Sequence, residues 1–408
     1  MKLHDRQQTK YKCRACGSTD LTQTLHSPKQ SLVDIHIVAC VKCNLVQGMC
    51  DEVAYSMQND SFKDPSLSLS QISCDSPYSN IRVGKQQMAD KFFRMAHELP
   101  IDYKQVQSVL DVRSARGSFI LNAPALFANS TSFIGFEEDL YLHPPKRSIT
   151  DPRIRFFDKS VYNAPKSLGR FDFIYSCHTL EHYREPVKYI KSIQSLLSDN
   201  GLFFVDVPNI LDFVDCGTLD DFFYDKHLLY FTPRTLVYLL VSQGFAVKWL
   251  RADGNGCIEC LAVRMPSHAS RYPTIELYRE LDPSRIIRYS KRLDAIRSRL
   301  PLLSKRMEDF ADTIESPLVA FGAGRILDAF VCYGGLDTGI FRFFVDNYLF
   351  QASKKVNGND LLPLNELKEK RAEFILFTRN KSASLVGLIL AQCPLASIYH
   401  WSDFDESI

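Results

Sequence analysis

The chain has 408 residues, enough for two or three domains that each bury a core. Its 49 basic and 47 acidic side chains leave a formal net charge of +2, which gives no support for nucleic acid or an anionic membrane as the main partner. The first residues lack the apolar core of a signal peptide, and no apolar run approaches the roughly 20 residues that a membrane helix needs. We therefore expect a cytoplasmic protein that does not span a membrane.

The first predicted module, residues 1–60, contains two pairs of cysteines, each with two residues between its members. The first pair is Cys13 and Cys16, and the second is Cys40 and Cys43. Together they supply four thiolates at a spacing typical of a structural, tetrahedral Zn²⁺ site. Because four thiolates leave no open position for water, we do not expect this metal to be catalytic. The alternative is a module that retains its cysteines without a metal.

The second predicted domain, residues 61–265, has the alternating pattern of an α/β sheet. The sequence predicts an amphipathic helix at 78–99 and a strand at 106–112 that turns into a helix. Within 171–209, an apolar run, a polar turn, an amphipathic helix and a second apolar run predict a βαβ unit, so the sheet should be parallel. Asn200 and Gly201 are predicted to end that helix, since glycine suits the left-handed residue after a helix end.

The next helix has clear end signals, with Thr232 as its N-cap, Pro233 at its first position and Gly244 after its end. Residues 266–312 predict a long amphipathic helical connector whose basic side chains form a solvated face. Residues 313–408 begin a fresh strand, small-residue turn, helix and strand, and predict a second small α/β domain. A lone G-x-G turn is weak evidence for a ligand there.

Several phrases of the sequence resemble one family of enzymes. The LEH turn, the helix that follows it and the strand ending in VPN resemble the second half of class I S-adenosylmethionine-dependent methyltransferases. With the cysteine pairs and the phrase FFYDKHLLYFTPRTL, the chain resembles the sugar C-methyltransferases. This resemblance implies an α/β fold: a Rossmann-like class I methyltransferase core, an N-terminal zinc-ribbon module and a C-terminal Rossmann-like domain. It also implies a nucleotide-linked sugar as the small-molecule substrate.

The resemblance implies that S-adenosylmethionine binds at the carboxyl ends of the first strands. Small residues in the first turn let the backbone approach the cofactor, although Arg113 stands where the first glycine belongs. An acidic residue at the end of the second strand would hold the ribose hydroxyls, and one at the end of the third would contact the adenine amino group. The predicted cofactor contacts are Asp111, Ser114, Gly117, Glu137, Asp158 and Cys177.

The same resemblance implies methylation of a carbon beside a ketone, which requires a base to remove the α-proton. His227 is the predicted base, and Tyr224 would position the substrate or donate to the oxyanion. His178 and His182 of the LEH turn are the alternative bases, although His182 is better explained as a hydrogen-bonded structural residue. In the phrase that resembles the family, Asp225 and Lys226 replace a histidine and a glutamate. That difference favours an O- or N-methyltransferase as an alternative. Arg113 favours a third possibility, a non-catalytic binding protein.

Overall fold

The computed structural model describes residues 11–28, 34–50, 85–114, 117–138, 148–215, 219, 221–223, 227–252, 256–265, 280–347, 350, 355–356, 358–378 and 381–405. Its strands in chain order are β1 (Ile35–Ala39), β2 (Val46–Cys50), β3 (Ser108–Val112), β4 (Ser132–Phe136), β5 (Ile154–Phe157), β6 (Phe171–Cys177), β7 (Leu197–Pro208), β8 (Leu229–Tyr230), β9 (Phe245–Arg251), β10 (Cys257–Arg264), β11 (Leu318–Phe321), β12 (Phe343–Val345), β13 (Lys355–Val356), β14 (Asn359–Leu362), β15 (Glu373–Leu376) and β16 (Ser397–His400).

The α-helices in chain order are α1 (Lys85–Glu98), α2 (Ala123–Leu126), α3 (Pro186–Leu196), α4 (Ile210–Phe213), α5 (Pro233–Ser242), α6 (Ser284–Arg297), α7 (Leu300–Ala311), α8 (Arg325–Gly334) and α9 (Ala383–Gln392). Within the described residues, every helix is too short or too polar to traverse a lipid bilayer.

The central sheet has seven strands in the order β5-β4-β3-β6-β7-β10-β9. Strands β3 to β7 are parallel, whereas β10 runs antiparallel to both of its neighbours. The chain leaves β3 toward β4 on one side and later returns to add β6 on the other. Ligands of open α/β sheets bind beside the carboxyl ends of the strands at such a reversal of strand order. The topology therefore predicts a ligand-binding site at the carboxyl ends of β3, β4 and β6.

Both faces of the central sheet are covered, which explains why the central residues of β6 (173–175) and β7 (202–205) are all apolar or aromatic. Ile174 and Phe203 face a cluster that includes Ile190 of α3. Phe173 and Phe204 point to the opposite face and pack in a second cluster. The α/β fold and the βαβ unit predicted from the sequence are thus confirmed.

One predicted helix end is wrong. Helix α3 ends at Leu196, and Gly201 lies inside β7. Strand β7 starts early because Leu197 already pairs with Phe171 of β6. A Cβ atom at Gly201 would lie 2.9 Å from the carbonyl oxygen of Phe171, so this glycine allows two backbones to approach closely.

The other helix predictions have mixed outcomes. Thr232 caps α5 through a reciprocal capping box with Thr235, and Gly244 follows with a φ of 81°, as predicted. The helical connector is two helices, α6 and α7. Pro301 lies in the first turn of α7, where a missing N–H costs nothing. Residues 78–84 and 266–279 lie outside the described residues.

The N-terminal module is joined to the central domain through a shared sheet. Strands β1, β2 and β8 form an antiparallel sheet in which Val46 pairs with Tyr230. A buried contact of 2.9 Å between His26 and Asp221 connects the same two parts of the chain. The module therefore holds the segment that leads from His227 to β8.

The C-terminal part forms a six-stranded sheet in the order β13-β14-β12-β11-β15-β16, in which only the β13–β14 pair is antiparallel. The predicted small-residue turn follows β11. Gly322 has a φ of 90°, and a Cβ atom there would lie 2.9 Å from the carbonyl oxygen of Phe377. The amide of Ala323 donates a hydrogen bond to Asp346 after β12. The C-terminal part therefore has a second, mainly parallel sheet of its own.

Candidate active site

The turn after β3 is tightly packed against the neighbouring strand β4. The amide and the hydroxyl of Ser114 both donate to the carbonyl oxygen of Phe136, at 2.8 and 3.3 Å. Gly135 makes this approach possible, because a Cβ atom there would lie 2.8 Å from the Ser114 hydroxyl. Sequence reasoning named Ser114 but missed Gly135, whose role depends on a contact between two strands.

Two residues of this turn adopt a left-handed backbone. Gly117 has a φ of 76°, which glycine accepts without strain. Arg113 has a φ of 52°, a conformation that costs a residue with a side chain roughly 1–2 kcal/mol. The backbone thus keeps the shape that a glycine would favour at position 113, although arginine stands there.

Three predicted cofactor contacts differ sharply in exposure. Asp111 is buried in β3, and burial raises the pKa of its carboxyl well above its usual value. Glu137 is buried directly after β4, where its amide donates to the carbonyl oxygen of Phe157. Asp158 follows β5 and is exposed. The three carboxyls therefore stand at or near the carboxyl ends of three adjacent parallel strands.

Cys177 ends β6 and contacts a buried ion pair. Lys91 of α1 forms this ion pair with Asp206 of β7. The Cys177 sulfur lies 3.3 Å from the Lys91 ammonium and 3.4 Å from the Asp206 carboxylate. Burial raises the pKa of Cys177 to about 11, so the residue remains a thiol at neutral pH. Burial opposes the charge of Asp206, but Lys91 and His178 outweigh it and lower the carboxyl pKa.

His178 occupies the turn directly after β6 in a left-handed conformation with a φ of 46°. Its amide donates to the carbonyl oxygen of Asp206, its Nε2 lies 3.7 Å from the Cys257 sulfur, and its Nδ1 lies 3.4 Å from Glu181. Burial would lower the pKa of His178, but Cys257, Cys177 and Glu181 together raise it well above its usual value. The neutral, proton-accepting form of the ring therefore increases as the pH rises.

Glu181 lies at the centre of a group of three histidines. Its Oε1 atom is 3.4 Å from His178, 3.9 Å from His182 and 3.8 Å from His227. The Glu181 side chain is completely buried. Burial would raise the pKa of this carboxyl, but the nearby histidines lower it below its usual value, so the group is charged. A hydrogen bond of 2.9 Å from the Leu228 amide to the Glu181 carbonyl holds the two segments together.

The predicted catalytic residues are only partly described. Tyr224, Asp225 and Lys226 lie outside the described residues. His227 is present, but its side chain is only 5% exposed, whereas that of His178 is 25% exposed. His178 is therefore the histidine that a ligand at the sheet edge can reach more easily.

The four predicted metal ligands of the N-terminal module are brought together. The sulfur atoms of Cys13 and Cys43 are 3.5 Å apart, and those of Cys16 and Cys40 are 3.6 Å apart. Sulfurs bound to one tetrahedral zinc at about 2.3 Å are separated by about 3.8 Å. All four sulfurs lie within 4.8 Å of one another. The arrangement fits a tetrahedral metal ion.

Residues 84–248 match the family model described as a methyltransferase domain. The matched segment contains α1, strands β3 to β7, and the turns that carry Ser114, Glu137 and His178. This segment is a methyltransferase domain. The match spans less than half of the chain and supports an enzyme that contains a methyltransferase domain. No curated protein matches the chain.

Solved structures of several methyltransferases resemble part of the chain. The 1,6-didemethyltoxoflavin-N1-methyltransferase of Burkholderia thailandensis is 17% identical with a TM-score of 0.37, and the alignment covers 55% of this chain and 98% of that one. A methyltransferase of Clostridium acetobutylicum is 10% identical with a TM-score of 0.33, over 44% of this chain and 99% of that one. The plantazolicin methyltransferase is 11% identical with a TM-score of 0.39, and the alignment covers 53% of this chain and 97% of that one. The family match, and not these structures, identifies the domain.

Sequence reasoning missed several residues that lie at this edge of the central sheet. Lys91, Asp206 and Cys257 contact the predicted site residues Cys177 and His178. Asp206 could have been recognised from the sequence, because it is a charged residue within the apolar run of β7. Buried charges in an apolar strand require a partner, so the position predicts a polar contact even before the partner is known.

Proposed function

We propose that the chain transfers a methyl group from S-adenosylmethionine to a small-molecule acceptor. The single observation that carries this proposal is the methyltransferase-domain match over residues 84–248. The acidic residues at the carboxyl ends of β3, β4 and β5 support a cofactor site there, since ligands of open α/β sheets bind at that edge. Asp111, Ser114, Gly117, Glu137, Asp158 and Cys177 are the proposed contacts with the cofactor.

The acceptor that we propose is a nucleotide-linked ketosugar, methylated on carbon. The phrase around His227 and the cysteine pairs support this choice through their resemblance to the sugar C-methyltransferases. The replacement of a histidine and a glutamate by Asp225 and Lys226 favours methylation on oxygen or nitrogen as the second candidate. Mass spectrometry and NMR of the product, after incubation with S-adenosylmethionine and candidate nucleotide-sugars, separate the two because they locate the new methyl group.

His178 is the proton acceptor that we propose, in place of the sequence-based choice of His227. Its side chain is the more exposed of the two, and it directly follows β6 at the ligand-binding edge. The neutral form of His178 removes the α-proton of the acceptor, and the resulting carbanion attacks the methyl carbon of the sulfonium, so that a C–CH₃ bond forms as the S–CH₃ bond breaks. The electron pair of the broken S–CH₃ bond stays on sulfur. The products are the methylated acceptor, S-adenosylhomocysteine and one proton, initially on His178.

Glu137 gives the first testable prediction. A buried carboxylate after β4 would accept hydrogen bonds from the ribose hydroxyls of the cofactor. Glu137→Ala should weaken S-adenosylmethionine binding by roughly 1.5–3 kcal/mol, the usual contribution of hydrogen bonds to a charged group. Calorimetric titration measures the change. Glu138→Ala, which removes the exposed neighbouring carboxylate, is the matched control and should bind as the wild type does. Equal affinity of the Glu137→Ala protein would require a different ribose partner.

A structural zinc ion in the N-terminal module gives the second prediction. The spacing of Cys13, Cys16, Cys40 and Cys43 supports four-thiolate ligation. Cys40→Ser should remove one equivalent of zinc per chain and unfold the module, while cofactor binding persists. Elemental analysis and calorimetry of the same sample measure both properties. Cys332→Ser, at an exposed cysteine of the C-terminal part, is the control and should keep its zinc. Freshly purified wild-type protein without zinc would contradict the prediction.

A further inference from the structure

The Glu181 carboxylate is charged and buried, and the described residues provide it with few close hydrogen-bond donors. Among the described residues its nearest polar partner is His178 Nδ1, whose 3.4 Å distance falls outside strict hydrogen-bond geometry. A buried charge is normally paired and hydrogen-bonded, or it coordinates a metal. Ordinary charge-assisted hydrogen bonds between histidine and carboxylate are about 2.7–2.9 Å long. The nitrogens of His182 and His227 stand clearly farther away, at 3.9 and 3.8 Å.

These longer separations are only slightly greater than the ligand-to-ligand distances of a metal coordination shell. Oxygen and nitrogen ligands at about 2.0–2.2 Å from one tetrahedral metal are separated from each other by roughly 3.3–3.6 Å. The ligand atoms of Glu181, His182 and His227 all lie within 4.8 Å of one another. A small contraction around an ion would bring the two imidazole nitrogens and the carboxylate oxygen to these distances.

We propose that Glu181, His182 and His227 bind a divalent transition-metal ion such as Zn²⁺. Two imidazoles and one carboxylate are a suitable ligand set for such an ion. The backbone bond from Leu228 to Glu181 fixes the two ligand-bearing segments relative to each other. His178 Nδ1 lies 3.4 Å from the same oxygen of Glu181. His178 is not itself a ligand in this proposal, but it helps to orient the Glu181 carboxylate. This site is separate from the four cysteines of the N-terminal module.

The ion would also restrict which molecules can serve as the methyl acceptor. This part of the inference rests on the proposed methyl transfer. Three protein ligands leave a fourth position open, as in catalytic zinc sites. A keto or hydroxyl oxygen of the acceptor would take that position, where the ion would supply positive charge next to the atom that His178 deprotonates. Acceptors should therefore carry an oxygen atom next to the atom that is methylated. His227 then acts as a metal ligand rather than as the base.

Cobalt substitution of the full-length chain tests the site without relying on turnover. Co²⁺ bound to four thiolates gives an intense sulfur-to-metal charge-transfer absorption, whereas Co²⁺ on imidazole and carboxylate gives only weak visible bands. We expect two equivalents of Co²⁺ per chain, of which only one contributes the charge-transfer absorption. Glu181→Gln should reduce the content to one equivalent and leave that absorption unchanged. Glu185→Gln removes an exposed carboxylate four residues away and should retain both equivalents.

The outcomes separate this proposal from the proposed function. A wild-type chain that binds a single equivalent, all of it with thiolate absorption, overturns the second metal site, and so does a Glu181→Gln protein that retains two. If Glu181→Gln fails to fold, His182→Gln takes its place, because His182 is the more exposed ligand at 14%. Titration of the same samples with S-adenosylmethionine keeps the tests distinct. A wild-type chain that binds the cofactor but only one metal equivalent would contradict the second metal site alone. A chain that binds two equivalents but no cofactor would contradict the methyl-transfer proposal alone.

Discussion

Replacing His178 by Gln should lower the turnover of methyl transfer by about 10²–10⁴-fold, the usual contribution of general-base catalysis. The change removes the proton acceptor but keeps a polar side chain of similar size next to Cys257 and Glu181. S-adenosylmethionine affinity should stay the same, so the loss appears in kcat and not in cofactor binding. Single-turnover kinetics with the identified acceptor, together with calorimetric titration, measures the two quantities separately.

Two further variants are needed to interpret the result with His178→Gln. His97→Gln alters an exposed histidine of α1 and should react at the wild-type rate. His227→Gln distinguishes the two roles considered for that residue. As a metal ligand, it should lose the second metal equivalent together with activity; as the base, it would lose activity with both equivalents retained. Full activity of the His178→Gln protein would contradict our assignment and return His227 to the role of base.

Replacing Lys91 by Met should lower the free energy of unfolding of the methyltransferase domain by about 3–5 kcal/mol, because it leaves the carboxylate of Asp206 buried without its cation. The side chains of this ion pair are 10% and 1% exposed. Burial opposes the charge of Lys91, but Asp206 and nearby groups outweigh it and raise the ammonium pKa. Urea denaturation followed by tryptophan fluorescence and circular dichroism measures the change.

The control and the rescue variant each replace a charged side chain of an ion pair by an apolar one. Lys188→Met breaks an exposed ion pair with Glu185 and should change stability by no more than about 0.5 kcal/mol. Adding Asp206→Leu to Lys91→Met should restore much of the lost stability, since a well-packed apolar pair often replaces a buried ion pair without loss. Unchanged stability of the single Lys91→Met variant would show that Asp206 is already neutralised by another partner.

The fold could be predicted to a large extent because its signals are local. Apolar runs with helices between them predicted the parallel part of the central sheet but not its antiparallel strands β9 and β10, and the pair Thr232 and Pro233 predicted the start of α5. The four cysteines also carry their own spacing signal, which predicts that their sulfurs converge. Each of these inferences needs only a short stretch of sequence, where side-chain pattern and backbone preference act together.

The predictions that failed or were never made depend on contacts between distant segments. Gly201 looks like a helix end, but its role is set by the carbonyl of Phe171 across the strand pair. The ion pair of Lys91 with Asp206 joins residues 115 positions apart. The pairing of β2 with β8 likewise joins the two ends of a long stretch of chain. No periodicity in the sequence reports such pairings, because they arise only when the sheet is assembled.

The most direct test of the account is calorimetric titration of the full-length chain with S-adenosylmethionine, alongside the Glu137→Ala and Glu138→Ala proteins. We predict one binding site per chain, with the affinity reduced in Glu137→Ala alone by roughly 1.5–3 kcal/mol. S-adenosylhomocysteine, the product, should compete for the same site. A folded wild-type chain that binds neither compound would contradict the proposal that residues 84–248 use S-adenosylmethionine as the methyl donor.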